Sequence, residues 1–166
     1  GLGLHTEFYP QCTSGDTRAI DFLAQAGISP WATFVERFEV WVVARTRPIR
    51  VAGNSGPLKG ETSWTELGLK AERTTVTQKV RRVGEFDPEL LRNAVEANGG
   101  GNNPMVKIAL MMVDYEIPNL FGETEYGQAS ELDRKRLDEL ARAVKGKTGA
   151  LVELVGTSPT TIIDLR

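Results

Sequence analysis

At 166 residues the chain has room for one domain with a real core, at about 100–200 residues per domain, and 40% apolar with 25% charged residues is ordinary for a globular protein. A net charge of −2 gives no field that would gather nucleic acid or a membrane surface, and no apolar run approaches the ~20 residues a membrane span requires. The lone cysteine, Cys12, excludes an internal disulfide and suits a reducing, cytoplasmic setting.

The chain opens on Gly1-Leu-Gly-Leu4, permissive backbone expected to be loop, and its start at Gly1 rather than Met suggests a processed chain or a piece of a longer one. His5 is the only histidine, so no second imidazole is available for a relay, and it reads as a surface or packing residue. Tyr9 to Asp16 is turn-rich, with Ser14 or Asp16 capping a helix that runs to about Gln25 and buries Ile20, Phe22, Leu23 and Ala26. Residues 38–44 are apolar on both faces, which predicts a central, covered strand. Three arginines and then closely spaced glycines follow from Arg45 to Pro57, where bare backbone can approach an anion closely. Ser63 or Thr62 and Glu66 have capping-box spacing and predict a short helix.

Residues 72–87 form the most distinctive stretch. Threonines and then cations stand in an irregular run, loosened at Gly84, with no helical period. Hydroxyls orient an anion, and the fork of Arg81 or Arg82 can grip a carboxylate or phosphate through two bonds. On these residues alone the stretch is either an anion site or a solvated basic turn.

Asp87-Pro88-Glu89 is a helix start, with cap, N1 proline and early acid together. The helix carries Leu90, Leu91, Ala94 and Val95 and stops at Gly99-Gly-Gly101. Residues 105–113 form a buried strand that ends at Asp114, a carboxylate at the C-terminal edge of a sheet, where ligands sit in open α/β folds. Residues 116–128 are loop, and residues 129–144 form an amphipathic helix with Leu132, Leu137, Leu140, Ala141 and Val144 on one face, closed by Gly146. Strands over 150–155 and 160–165 complete an α/β alternation. Gly146-Lys147-Thr148 resembles the end of a phosphate loop, but it follows a helix instead of opening one, and Ala141 stands where the first glycine belongs.

At Arg50-Val-Ala-Gly-Asn-Ser-Gly-Pro-Leu58, Glu61 to Gly68 and Thr74 to Asp87, the chain closely resembles the adenylosuccinate synthetase family. Tyr9-Pro10 with Thr13-Ser14, and Val155-Gly-Thr-Ser-Pro159, match further landmarks in the same order. The resemblance covers nearly the whole chain but only the C-terminal portion of the family's length. It implies one domain over residues 1–166, the C-terminal part of a P-loop-NTPase-like mixed sheet flanked by helices, without the N-terminal phosphate-loop half.

The family joins IMP to L-aspartate, using GTP to phosphorylate the 6-oxygen, with Mg²⁺ held in the N-terminal half; the aspartate nitrogen then displaces that phosphate. Carried over by position, Thr13 falls at the nucleotide phosphate, and Val51 and Gly53 beside the ribose. Thr75, Val76, Thr77, Gln78, Lys79, Val80 and Arg81 form the loop for the aspartate carboxylates, with Arg81 also near the triphosphate. Met112, Val113 and Asp114, with Gly156, Thr157 and Ser158, fall at the GTP base. Lys79 replaces an arginine, Val76 a threonine, and Met112 the lysine that covers the base, which opens the choice between GTP and ATP. The short segment after Asp114 is similar to the compact archaeal form and to phage enzymes that use dGMP. The family's catalytic aspartate and histidine have no counterpart in this sequence, so the chain alone is expected not to catalyse. It would instead complete a site with the N-terminal half, in a homodimer when full length, or act as a non-catalytic nucleotide-binding module.

Overall fold

A computed structural model of the chain describes residues 18–166. Its centre is a four-stranded sheet in the order β1 (Val40–Arg45), β4 (Val106–Met111), β5 (Leu151–Gly156), β6 (Ile162–Asp164). The first three are parallel, pairing Val40 with Val106 through to Arg45 with Met111, and Lys107 with Leu151; β6 returns antiparallel against β5. Parallel neighbours need crossovers. One of them contains α2 (Pro88–Ala97), and α3 (Glu131–Thr148) lies in the other. Between β1 and α2 the chain builds a two-stranded ribbon, β2 (Ile49–Arg50) against β3 (Arg82–Val83).

The core lies between the helices and one sheet face. Leu91 and Val95 of α2 and Leu137 and Val144 of α3 meet Val42, Ile108, Leu110 and Val155, all buried. The cap of α2 forms as its sequence predicts: the Asp87 carboxylate accepts from the amides of Glu89 and Leu90 at 3.2 and 3.1 Å. Helix α3 runs past Gly146 to Thr148 and ends where Gly149 turns left-handed. Gly146-Lys147-Thr148 is therefore its last turn, pointing no helix N-terminus at a ligand. The α2–β4 turn and the end of α3 touch backbone to backbone, and a Cβ on Gly101 would collide with the Thr148 carbonyl.

Several expectations are corrected. The first helix, α1 (Ala19–Gln25), begins later than Ser14 or Asp16, both outside the described residues, and buries none of its residues; Ile20 and Phe22 are exposed. Strand β1 is an edge strand of the described sheet, not a central one, and Val43 on its outer face is 63% exposed. The apolar character on both faces does not distinguish the two positions. Leu132 points away from the core, since α3 buries a narrower stripe through Asp133, Leu137 and Val144. The capping box forms, with Glu66 bonded to Thr62, Ser63 and its amide, yet it closes a turn over residues 64–68 and no helix follows. No helix among the described residues is long and apolar enough to cross a membrane.

The Gly101 contact generates a direct test. Gly101→Ala forces backbone to yield against backbone and should cost about 1–3 kcal/mol, read as a lower urea midpoint at unchanged slope. Asp87→Ala, which only strips a cap, should cost about 1 kcal/mol.

Candidate functional site

Because β1, β4 and β5 run parallel, their C-terminal ends share one edge, and the chain leaves that edge at Arg45, Met111 and Gly156. Arg45 sends its guanidinium to Glu72 at the base of the threonine-rich stretch. That stretch is no irregular loop but a tight hairpin: the Arg81 amide donates to Glu72 carbonyl at 2.8 Å and Thr74 amide to Lys79 carbonyl at 2.9 Å, around a bridge between Arg73 and Val80. Gln78 takes the left-handed turn at φ 53°, and its side chain donates to the Thr75 carbonyl at 2.8 Å. The Thr74 and Thr77 hydroxyls lie 2.6 Å apart. The tip is open to solvent, with Val76 91% exposed.

The two neighbouring arginines diverge. Arg82 is committed inward: it pairs with Glu61 and donates to Ser55 Oγ at 3.1 Å and Gly56 carbonyl at 2.8 Å, clamping the glycine loop onto β3. It is therefore not the free fork its sequence position offered. Arg81 has its main chain fixed on both sides, its carbonyl accepting from Trp64 Nε1 at 2.7 Å, while its guanidinium has no hydrogen-bond or ion-pair partner among the described residues. Arg81 lines a cavity of about 680 Å³ with Val51, Ser55, Arg45, Arg50 and Phe86. Gly84 serves fit, not looseness: it is buried, and a Cβ there would stand 2.5 Å from the Lys59 carbonyl.

On the other side of Arg45, β4 ends in a left-handed Met112 at φ 60°, followed by a 3₁₀ turn, Val113–Tyr115. Thr46 pins this corner by donating its hydroxyl to the Met112 carbonyl at 2.5 Å. Val113 is fully buried, which leaves only its main chain for a ligand. Asp114 Oδ1 is buried with no hydrogen-bond partner among the described residues; burial raises the carboxyl's pKa above its ordinary value, opposed by the residue's own amide and by Arg45 and reinforced by Glu72. The Tyr115 hydroxyl donates to Glu72 Oε1 at 2.8 Å; burial first, and that bond next, push its pKa up to about 12. Beside this turn, Thr157 and Ser158 are buried, their hydroxyls closing the β5–β6 turn: Thr157 donates to the Glu123 carbonyl at 2.7 Å, and Ser158 accepts from Thr161 at 2.6 Å.

The structure thus brings Val51 and Arg81 to one cavity and Asp114 to the shared sheet edge with Gly156. It carries residues 75–80 on the hairpin beyond the cavity lining. Thr13 lies outside the described residues. Glu72 and Trp64 stand inside the stretches that sequence singled out, but their contacts, and Tyr115 altogether, escape a reading by motif because each contact joins residues far apart in the chain. No group of three or more His, Cys, Asp or Glu residues among the described residues is placed to hold a metal ion.

An α/β fold that gathers a glycine loop, a cationic hairpin and a half-buried carboxylate at the C-terminal ends of parallel strands has the place where open α/β folds bind ligands. Along its whole length the chain is related to the adenylosuccinate synthetases, which are C–N ligases. It is 39% identical to the adenylosuccinate synthetase of Methanocaldococcus jannaschii over 170 residues, covering 99% of this chain and 45% of that protein. A second relative is the N6-succino-2-amino-2'-deoxyadenylate synthase of Vibrio phage phiVC8, 47% identical over 89 residues, covering 51% of this chain and 24% of that one. Among solved structures, the cyanophage S-2L succinoaminodeoxyadenylate synthetase bound to dGMP and dATP superposes with a TM-score of 0.69 at 28% identity, covering 99% of this chain and 44% of that one. The chain spans about half the length of the curated relatives it matches across its whole length. No protein-family model matches it.

Asp114 yields a test with a defined sign. A carboxyl with a raised folded pKa contributes stability below its unfolded value, near 3.9, and loses that contribution as pH rises through the folded value. At neutral pH the partly buried, ionised carboxylate, with Oδ1 unbonded among the described residues, is a cost. Asp114→Asn should therefore raise the melting temperature at pH 7 and leave it little changed at pH 3, as followed by circular dichroism.

Proposed function

We propose that this chain is a single-domain part of a purine nucleotide–aspartate ligase, supplying the aspartate-holding hairpin and portions of both nucleotide sites. The observation that carries the reading is Arg81, an arginine with a fixed main chain and a guanidinium unpartnered among the described residues, on a cavity of about 680 Å³, at a family-matching position of a chain related to synthetases throughout. In the reaction GTP phosphorylates the 6-oxygen of IMP, and the amine of L-aspartate forms the C–N bond as that phosphate leaves.

The substrate's two carboxylates call for cations and hydroxyls held in place before it arrives. Arg81 supplies the bidentate fork, Lys79 a point charge, and Thr75 and Thr77 hydroxyls, on a hairpin whose bonds are already made. Val51 and Gly53 pass along the ribose and Thr13 lies at the nucleotide phosphate. The second nucleotide's base meets Asp114, an acceptor for ring N–H groups, between the main chains of Met112 and Val113 and the Gly156–Ser158 turn. GTP is the expected donor, with Mg²⁺ neutralising its phosphates. The metal's ligands and the groups that move protons lie in a phosphate-loop segment outside this chain. On this reading the chain alone binds without turnover, and the complete enzyme is a cytoplasmic homodimer of purine biosynthesis.

The test joins this chain, covalently or by mixing, to a segment carrying a synthetase phosphate loop, and follows aspartate-dependent phosphate release with IMP or dGMP and with GTP or ATP. Release is expected with one acceptor–donor pair. Arg81→Ala should raise the aspartate KM about 10- to 100-fold, the worth of one or two charge-assisted bonds. Absence of release when both parts are folded and associated would overturn the reading.

A further inference from the structure

The two binding regions are joined by a closed ring of contacts that neither substrate requires directly. Tyr115 follows Asp114 in the same 3₁₀ turn, so one short stretch of main chain carries both side chains. The Tyr115 hydroxyl donates to Glu72 Oε1, the Arg81 amide donates to the Glu72 carbonyl, and the Arg81 carbonyl accepts from Trp64. Trp64, 6% exposed, closes the ring by standing edge-on to Tyr115 at 6.3 Å and 88°. Arg45 gives Glu72 its counter-charge from the end of β1.

Among the described residues the hairpin has no comparable anchor elsewhere. Hydrogen bonds of residues 73–80 among the described residues stay inside it: Arg73 to the Gln78 carbonyl, Thr74 to Lys79, Gln78 to Thr75. Its aim is therefore set at its base, where Glu72 and Arg81 meet the ring.

Taking the ligand assignments from the reading above, we propose that Glu72 and Tyr115 are positioning residues that hold Arg81 in register with the turn bearing Asp114, so that a nucleotide base at Asp114 and a dicarboxylate at Arg81 favour each other's binding. Neither residue touches a reacting atom. The physical warrant is contiguity through short polar contacts, with one carboxylate accepting from both a phenol and a guanidinium. A ligand that fixes the turn fixes Glu72, and through it the Arg81 main chain. By linkage the effect is reciprocal, and couplings of this kind are typically about 5- to 150-fold in affinity.

Tyr115→Phe deletes one hydroxyl and keeps the ring against Trp64, so the fold should survive; Glu72→Gln keeps an acceptor and loses the ion pair. In the chain by itself, amide hydrogen exchange over residues 74–82 should quicken about tenfold in Tyr115→Phe, while amides of α2 and β4 hold their wild-type rates. Unchanged exchange in the hairpin would overturn the proposal, as would equal acceleration everywhere, which marks a merely structural role. In the enzyme joined to its phosphate-loop segment, Tyr115→Phe should raise the KM of aspartate and that of the purine triphosphate together, each about 5- to 10-fold, with kcat within about twofold. Glu72→Gln should fall between that variant and wild type. A rise in one KM alone would overturn the coupling. A joined wild-type enzyme that binds neither ligand would remove the functional reading instead, and the exchange measurement would still decide whether Tyr115 holds Arg81.

Discussion

The structure depends on the parallel register of β1, β4 and β5. Parallel strands deliver their C-terminal ends to one edge, so three segments separated in sequence must turn out of the sheet side by side. Arg45, Asp114 and Gly156 are neighbours for that reason alone. Placed there, Arg45 finds Glu72, and the hairpin is drawn to the sheet edge instead of trailing from the ribbon. The helices on one face fill the core; the site is a property of the edge.

Charge at this edge is divided between groups that are paired and groups that are not. Arg47 pairs with Glu116, Arg45 with Glu72 and Arg82 with Glu61, and each pair fastens a loop to something more rigid. Among the described residues Arg81 is left with an open guanidinium, and Asp114 with a buried oxygen lacking a partner. Groups that cost stability without return tend to be kept where a ligand completes them. Counting arginines along the chain could not have separated Arg81 from Arg82, since the difference lies in whether Ser55, Gly56 and Glu61 come within reach.

Elements whose signals are local were legible in the sequence. Asp87-Pro88-Glu89 starts α2 as written, because a cap needs only its own next residues. The glycine triplet stops it, and the apolar run over 106–111 is β4. The threonine-rich hairpin was visible as a polar, cationic stretch, but its ribbon form was not, because Thr74 and Lys79 pair through main chain that carries no composition signal. The edge position of β1 in the described sheet and the exposure of Ile20, Phe22 and Leu132 were missed because apolar character states a preference for cover without saying what supplies it. The contacts of Glu72, Tyr115 and Trp64 were missed because their partners are set by topology.

The register also orders assembly. Pairing Val40 with Val106 closes a loop that contains the glycine loop, the capping-box turn, the hairpin and α2. The hairpin is local and can form on the microsecond scale of isolated hairpins. The cavity rim and the Arg45–Glu72 contact cannot be assembled until that long loop closes. Closure entropy grows only as about (3/2)RT ln n, so enlarging the enclosed segment adds little to its cost. The site's residues thus sit where a lineage can lengthen or trim loops at small thermodynamic expense, while folding speed stays tied to one non-local pairing that every such variant must still make.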